Sequence, residues 1–241
     1  IMAGEEMGPA MSKWLESVLK EQGQVVVEPW LDRVYDFSVQ FERGDEGLKL
    51  QAFTRLINNA RGQFRGIVSG GFLKDADQAV TRFLMQRSSG RPRIYRWYED
   101  LLGPRLDQSL QEMGYQGPLS MDAFVYRDKK GALRLKSIVE INPRFTMGRV
   151  AHELSRLTVA GAPSFFQIVS AKQVRKSRGQ SLEAFVEDLE NTCPVRLKNK
   201  GKAQLIEGSF ALTDPAHAER FLALFHVRPT MAELRPLLNQ F

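Results

Sequence analysis

Three polar side chains lie at the end of the apolar segment IVEIN, residues 138–142, and just after it. Glu140, Asn142 and Arg144 alternate along an extended chain, so their side chains leave the backbone on the same face. A carboxylate and an amide oxygen suit a hard cation such as Mg²⁺. A planar guanidinium suits a phosphoryl oxygen. This strand end therefore predicts a magnesium–phosphate site.

A second carboxylate, Asp122, lies in the segment before this strand. Residues 118–128 and 132–142 predict two strands joined by a Lys-Lys-Gly turn. Antiparallel pairing around that turn places residues whose numbers sum to about 260 opposite each other, and Asp122 and Glu140 sum to 262. Two neighbouring carboxylates repel each other unless a cation lies between them. Both are therefore predicted metal ligands together with Asn142; the alternative is an acidic pair on a solvated strand face.

The other hydrophobic patterns along the chain predict an α+β protein. Apolar residues at helical spacing predict helices at 9–23, 74–87 and 94–114, from 150 onward, around 181–191, and in two segments near the C-terminus. Short apolar or alternating runs predict strands at 24–31, 33–44, 164–171 and 203–213, and a hairpin within 48–71. Elements of this kind fit one large domain or two small ones in 241 residues.

Composition excludes several classes of protein. The chain is 43% hydrophobic and 26% charged, which is ordinary for a globular protein. No apolar run is long enough to span a bilayer, so a membrane partner is not expected. The single cysteine, Cys193, cannot form an intramolecular disulfide or a thiolate metal cluster. A reducing cytoplasm is the expected compartment.

A formal net charge of +6 raises the question of an acidic partner. Basic residues cluster at 172–178 and 196–202, and arginines alternate with aromatic residues within 87–100. Such clusters are usually solvated faces, and the spread of charge along the chain argues against nucleic acid. A basic surface for nucleic acid or an acidic partner stays open as an alternative. It requires the arginines within 82–96 and the C-terminal clusters to form one patch.

Three pieces of the sequence, in order, resemble the ATP-grasp superfamily, which includes biotin carboxylase and glutathione synthetase. VVVEPWL at 25–31 resembles the hinge between the two ATP-grasp subdomains. DFSVQ at 36–40 resembles the strand that follows the hinge. SMDAFVYRD at 120–128 and SIVEINPRFTMG at 137–148 resemble the metal-binding strands. Order and spacing agree over about residues 24–150.

The resemblance implies a nucleotide site at the hinge. Glu28 and the backbone after it would meet the amino edge of adenine, with Trp30 and Leu31 beside the ring. Asp36, on the next predicted strand, would bind the ribose hydroxyls. An apolar slot with backbone polar groups is a common way to select adenine. ATP is therefore the expected cofactor.

The resemblance also implies roles around the phosphates. The three predicted metal ligands would bind the magnesium of MgATP, and Mn²⁺ fits the same oxygen ligands. Arg144 matches an arginine that many members keep near the transferred phosphate. A basic residue on the intervening hairpin often helps to hold phosphate, so Arg55 and Arg65 are further candidates. A surface arginine on a strand is the alternative for both.

The fold implied is α+β: an ATP-grasp-like antiparallel sheet with flanking helices, N-terminally incomplete, plus a C-terminal α/β appendage. The residues before the hinge hold neither the strand lysine nor the glycine-rich loop of the family, so a truncated piece of a longer ligase is expected. Residues 1–23 are predicted to be a remnant of the small subdomain, and 24–173 the nucleotide and metal subdomain. A composition shift near 174–181 predicts that 174–241 form the appendage.

The function implied is that of an ATP- and Mg²⁺-dependent ligase. In the family, the γ-phosphate is transferred to a carboxylate, and an amine or another nucleophile attacks the resulting acyl phosphate. The expected partners are therefore a small-molecule carboxylate and a small-molecule nucleophile. Because many members pair, the resemblance also allows a homodimer. The sequence carries no signature of either substrate.

Overall fold

The computed structural model describes residues 7–59, 62–88, 90–198 and 201–238. The strands are β1 Asp32–Gly44, β2 Gly47–Asn58, β3 Phe64–Ser69, β4 Arg87–Ser88, β5 Arg91–Pro92, β6 Gly117–Arg127, β7 Leu133–Asn142, β8 Ser164–Ser170, β9 Arg196–Lys198, β10 Gln204–Ala211 and β11 Phe221–Val227. The helices are α1 Pro9–Gln22, α2 Gln78–Met85, α3 Arg93–Tyr95, a π-helix Arg96–Leu102, α4 Gly103–Glu112, α5 Met147–Ser155, α6 Ala171–Arg178, α7 Leu182–Thr192 and α8 Met231–Leu238.

One antiparallel sheet organises the described part of the chain. Its strands lie in the order β7-β6-β1-β2-β3-β8-β11-β10-β9, so β1 pairs with both β2 and β6. Helices flank the sheet, and the predicted α+β class with an antiparallel sheet is confirmed. In the same described ranges, no helix is long and apolar enough to cross a membrane.

Alternation along β1 separates an apolar face from a polar one. Phe37, Val39 and Phe41 are at most 1% exposed and pack beneath the segment that contains α2, the π-helix and α4. The Phe37 ring lies edge-on to the ring of Tyr98, and the distance between the two ring centroids is 6.1 Å. The residues between them, including Ser38, point to the other face. The aromatic core therefore fixes β1 through its apolar face, and the polar residues of β1 lie on the other face of the sheet.

The hairpin of β6 and β7 has the predicted turn. The Asp128 side chain accepts hydrogen bonds from the backbone N–H groups of Lys130 (2.9 Å) and Ala132 (3.0 Å). Gly131 adopts φ +77°, a conformation that favours glycine. This compact turn pairs Arg127 with Leu133 and so starts the register at a sum of 260.

A bulge then changes that register along the hairpin. Phe124 pairs with Lys136, but Asp122 pairs with Glu140, so β7 contains two more residues than β6 over this interval. The sum of paired residue numbers becomes 262, and the two carboxylates lie directly opposite each other. The predicted neighbourhood of Asp122 and Glu140 is confirmed, and the bulge explains why their pairing is direct.

The prediction of a strand at residues 24–31 is wrong. These residues form no strand, and Val26 and Val27 are 84% and 89% exposed. Pro29 has no N–H to donate to a neighbouring strand, and no strand in the described residues pairs with this segment. The helix before this segment ends where the sequence predicted. Gly23 terminates α1 with φ +73° and donates its N–H to the carbonyl of Leu19 (2.9 Å).

The prediction of two helices near the C-terminus is wrong for the first of them: the structure has a strand followed by one helix. Residues 221–227 form β11, which pairs with β8 and β10, and only α8 follows. A continuous apolar run of this length suits a strand buried on both faces. His226 is consequently a buried strand residue, and burial lowers its pKa to about 3.

The sheet continues across the boundary predicted between residues 173 and 174. β8 lies before that boundary and β11 after it, yet Phe166 pairs with Phe225 in the middle of the two strands. The short helix α6, which the sequence patterns did not indicate, begins at the end of β8. The C-terminal elements thus extend the same sheet, while their separation as a domain stays a prediction.

Candidate functional site

A cleft of about 420 Å³ lies on the polar face of the sheet, opposite the aromatic core. This volume is within the roughly 300–1,000 Å³ typical of small-molecule pockets. Its walls come from β1, the β2–β3 hairpin, β6, β7 and the start of α5. The lining includes Arg33, Ser38, Leu56, Asn58, Gly62, Phe64, Ile67, Ser120, Asp122, Glu140, Asn142, Arg144, Thr146, Met147 and Gly148.

The pair Asp122–Glu140 lies across two adjacent strands in this cleft. Burial of Asp122 raises its pKa, and the neighbouring Glu140 carboxylate raises it further. A hydrogen bond from Ser38 and the charges of Arg144 and Arg33 offset part of this effect. A half-buried carboxylate facing a second one is a place where a cation relieves repulsion.

We expect this arrangement to appear in the pH dependence of stability. Because the folded-state pKa of Asp122 is raised above its unfolded value, the folded state holds the proton more tightly. The stabilisation that Asp122 contributes is therefore fully present below its unfolded-state pKa of about 3.9. It is lost as pH rises through the folded-state pKa. Urea unfolding of the native chain and an Asp122→Asn variant, compared between about pH 4 and pH 8, measures the difference. Parallel pH profiles would contradict this prediction.

Asn142 and Arg144 lie beside the carboxylates, as predicted. Asn142 is 7% exposed, pairs with Ser120 across the hairpin, and accepts a hydrogen bond from Nη2 of Arg144 through its Oδ1 (3.0 Å). The buried hydroxyl of Ser120 has no hydrogen-bond partner among the described residues. A buried polar atom without a partner is uncommon in a folded protein. The cleft thus has unused hydrogen-bonding capacity next to the carboxylate pair.

These groups fit a magnesium ion by their chemistry. Among the residues that the structure describes, no group of three or more His, Cys, Asp or Glu side chains is placed to hold a metal. Two carboxylates, an amide and an unpartnered hydroxyl nevertheless form a set that consists of oxygen donors, and Mg²⁺ usually keeps several waters. The donor set is therefore adequate for a cation that is also held by a phosphorylated ligand.

Helix α5 forms the wall of the cleft beyond β7. Thr146 is its N-cap residue and accepts from the N–H of Arg149 (3.4 Å). The Thr146 hydroxyl also donates to Oε1 of the buried Gln40 (3.3 Å) on β1. Arg149 ties the helix to the same strand through Glu42, with Nη1 2.5 Å from the carboxylate oxygen. These contacts seat the helix against β1.

Gly148 allows this close approach of the helix. A Cβ at this position would lie 2.4 Å from Nε2 of Gln40. We therefore expect Gly148→Ala to lower the free energy of unfolding by about 1–3 kcal/mol, as overpacking typically does. Urea unfolding checks this, with Gly44→Ala as the matched control, because a Cβ there meets no atom within 4 Å. Equal stability of the two variants would contradict the predicted seating.

The residues predicted for the nucleotide base are only partly brought together. Trp30, Leu31 and Asp36 line a second cleft of about 340 Å³, which shares Arg33 and other lining residues with the first. Glu28 does not line this cleft, and its carboxylate lies 2.6 Å from Nζ of Lys136. Trp30 is 81% exposed. The geometry thus groups three of the four predicted residues in a cleft that adjoins the one with the carboxylate pair.

Arg55 is not brought to the carboxylate pair. It forms an ion pair with Asp75, and its guanidinium lies over the Tyr35 ring, 5.2 Å from the centroid. Its neighbour Thr54 contacts Gln40 and Ser38 on the polar face, so Arg55 points to the opposite face. Arg65 does not line the cleft either. The phosphate roles of these two arginines stay predictions without support from the geometry.

Sequence reasoning did not identify three residues that shape the cleft. Arg33 pairs with Asp36 (Nε–Oδ1 2.8 Å) and lies over the Phe124 ring, 4.5 Å from the centroid. Ser38 and Ser120 lie two residues from Asp36 and Asp122 respectively, and a period of two would have placed both on the polar face. A period of two would place Arg33 on the face of Tyr35 and Phe37, but the strand pairing has a register shift between Arg33 and Tyr35.

Comparison with solved structures identifies the fold. The N5-carboxyaminoimidazole synthetase of Staphylococcus aureus, solved with ADP, matches with a TM-score of 0.51 and 10% identity, over 97% of this chain and 56% of that one. An ADP complex of an N5-carboxyaminoimidazole ribonucleotide synthetase matches with a TM-score of 0.51 and 11% identity, over 97% and 55%. No family model matches the sequence, and a search among curated proteins finds no match.

The match concerns only part of those structures. The chain spans a little more than half the length of each. At identities of 10% and 11%, the likeness establishes the fold. This chain therefore has the ATP-grasp fold seen in part of these two synthetases, with an antiparallel sheet and flanking helices.

Proposed function

We propose that this chain is the nucleotide- and metal-binding part of an ATP- and Mg²⁺-dependent ligase. The ligase would activate a carboxylate as an acyl phosphate for attack by an amine or another nucleophile. The observation that carries the proposal is that Asp122, Glu140, Asn142 and Arg144 share one cleft. A second cleft with Trp30 adjoins it, and the two synthetase structures compared above were solved with ADP.

Each residue has a role that its chemistry supports. Asp122, Glu140 and Asn142 would hold magnesium, which offsets charge on the β- and γ-phosphates when it is bound. Arg144 would bind an oxygen of the transferred phosphoryl group, because its guanidinium is a fixed, planar donor. Since phosphoryl transfer depends mainly on positioning and electrostatics, these residues need no covalent step of their own.

The adjoining cleft would hold the nucleoside. Asp36 would accept hydrogen bonds from the ribose hydroxyls, and its pairing with Arg33 orients the carboxylate. Trp30 and Leu31 would pack on the adenine ring, which would cover an indole that is now exposed. The carboxylate and nucleophile substrates, and a homodimeric state, belong to the same proposal for the longer protein.

The alternative function, a basic binding surface, has less support. Arg91 forms ion pairs with Glu99 and Asp100, which neutralises part of the 82–96 segment. Arg93 lies over the Phe83 ring, 4.8 Å from the centroid. Phe83 and Tyr95 of that segment pack against the core below β1, whereas α6 packs on β8 and α7. The single merged patch that this alternative needs has no support in these contacts.

Titration calorimetry tests the proposal. MgATP is titrated into the chain, and ATP with a chelator serves as the control. We expect saturable binding that requires the metal, because the carboxylate pair repels a bare triphosphate. Magnesium-dependent binding would then justify a screen of carboxylates and amines for ADP release. Equal binding of ATP with and without magnesium, by a folded chain, would contradict the assigned metal role.

A further inference from the structure

A third cavity, a groove of about 890 Å³, lies between α6 and the start of β11. We name it the basic groove and define it by its lining residues Ser170, Ala171, Lys172, Arg175, Lys176, Glu219, Arg220 and Phe221. It shares no lining residue with the two clefts assigned to the nucleotide and metal. The proposed function therefore leaves it unexplained.

The basic groove carries a net positive charge, with four cations and one carboxylate, that of Glu219, in its lining. Three of its four cations project from one face of α6, since Lys172, Arg175 and Lys176 are three and four residues apart. The fourth is Arg220, on the loop that leads into β11. None of these four side chains forms an ion pair with a carboxylate of the described residues. All four are exposed, whereas several other arginines of the chain are paired.

The basic groove also exposes an aromatic ring. Phe221 is 63% exposed, although the next residue of β11, Leu222, is fully buried. Together with Ala171 and the aliphatic stems of the lysines and arginines, this ring makes the groove surface mostly apolar. An exposed apolar surface with a charged rim is typical of a place where a protein segment binds.

The groove rests on a well-defined scaffold. Ser170 and Gln173 form a reciprocal capping box at the start of α6, and Val174 buries the inner face of the helix. Phe221 pairs with Ser170 at the ends of β11 and β8, which connects the two sides of the groove. The cations and the ring are therefore presented from elements of fixed relative position.

We propose that the basic groove binds an acidic peptide segment that carries one apolar side chain. The acidic side chains would pair with the four cations, and the apolar side chain would pack on Phe221. This ligand matches both the charge and the apolar surface of the groove. Single-stranded nucleic acid fits less well, because its binding usually uses several stacked aromatic residues, and Phe221 is the one aromatic residue among those that line the groove. The site is independent of the nucleotide.

Fluorescence anisotropy tests this inference. The probe is a fluorescein-labelled peptide of alternating Glu and Asp with one central Leu, and a peptide with Gln and Asn in place of the acids is its control. The test protein is the full chain with Lys172→Gln, Arg175→Gln and Lys176→Gln. The matched control changes Lys20, Lys129 and Lys130 to Gln. These three lysines line neither the basic groove nor the two clefts, and their replacement removes the same amount of charge.

We expect the α6 variant to bind the acidic peptide about tenfold more weakly, since three exposed ion pairs are each worth a few-fold. The control variant should bind as the native chain does, and Phe221→Ser should weaken binding of the Leu peptide without removing it. Equal weakening by both triple variants, or no binding by the native chain, would overturn the proposal. Tighter binding of oligo(dT) than of the peptide, lost in the α6 variant, would also overturn it in favour of nucleic acid. MgATP titration of the α6 variant separates this outcome from failure of the proposed function.

Discussion

We expect the binding of MgATP to weaken at least about 100-fold when Asp122 is changed to Asn and Glu140 to Gln in the same chain. The two substitutions keep the size of each side chain and remove both negative charges. The loss of even one outer-shell partner of a metal ligand costs roughly 10–100-fold in metal affinity, so the loss of two charged ligands should cost more. Titration calorimetry of the native and variant chains measures the change.

The variant should stay folded, which makes the result interpretable. Asp122 is half-buried with a raised pKa and faces Glu140, so neutral side chains at these positions relieve repulsion in the absence of a cation. We therefore expect unfolding in urea to need the same or a higher concentration. The matched control is Asp45→Asn with Glu46→Gln, an equal charge change at the β1–β2 turn. Unchanged MgATP affinity of the Asp122/Glu140 variant would contradict the assignment.

Replacement of Phe37 by Ala should have the largest effect on stability. Phe37 is fully buried between β1 and the π-helix, and its ring lies within 6.5 Å, centroid to centroid, of Phe53, Phe72 and Tyr98. Removal of a buried Phe leaves a cavity and typically costs about 3–5 kcal/mol. Equilibrium unfolding in urea, followed by circular dichroism, measures the loss.

Phe145→Ala is the control for this prediction. Phe145 is 68% exposed, on the loop between β7 and α5. Its replacement should change the free energy of unfolding by no more than about 0.5 kcal/mol, as surface substitutions usually do. A loss of less than about 1 kcal/mol for Phe37→Ala would mean that the aromatic cluster does not hold β1.

Short-range signals in the sequence predicted the hairpin that carries the candidate metal ligands. The Lys-Lys-Gly turn limits the pairing of β6 and β7 to nearly one register, and a period of two places Asp122, Glu140 and Asn142 on one face. The bulge that makes Asp122 and Glu140 direct partners was not predictable. It depends on how β7 fits against β6 at the edge of a sheet, which local spacing does not encode.

Signals that depend on distant partners were misread. Val26 and Val27 have the composition of a strand, but a strand also needs a neighbour, and the structure gives this segment none among the described residues. Residues 221–227 form a strand because β8 and β10 lie on either side of them. Arg55 shows the same limit at the site, since Asp75 and Tyr35 hold it on the opposite face.

Paramagnetic broadening by Mn²⁺–ADP tests the central claim most directly. The nuclear magnetic resonance spectrum of the chain is recorded with Mn²⁺–ADP and with Mg²⁺–ADP as the diamagnetic reference. The account predicts that broadening centres on the side-chain amide of Asn142 and the backbone amides of Asp122 and Glu140, and disappears in the Asp122→Asn/Glu140→Gln variant. Broadening centred elsewhere, or unchanged in the variant, would contradict a metal–nucleotide site between β6 and β7.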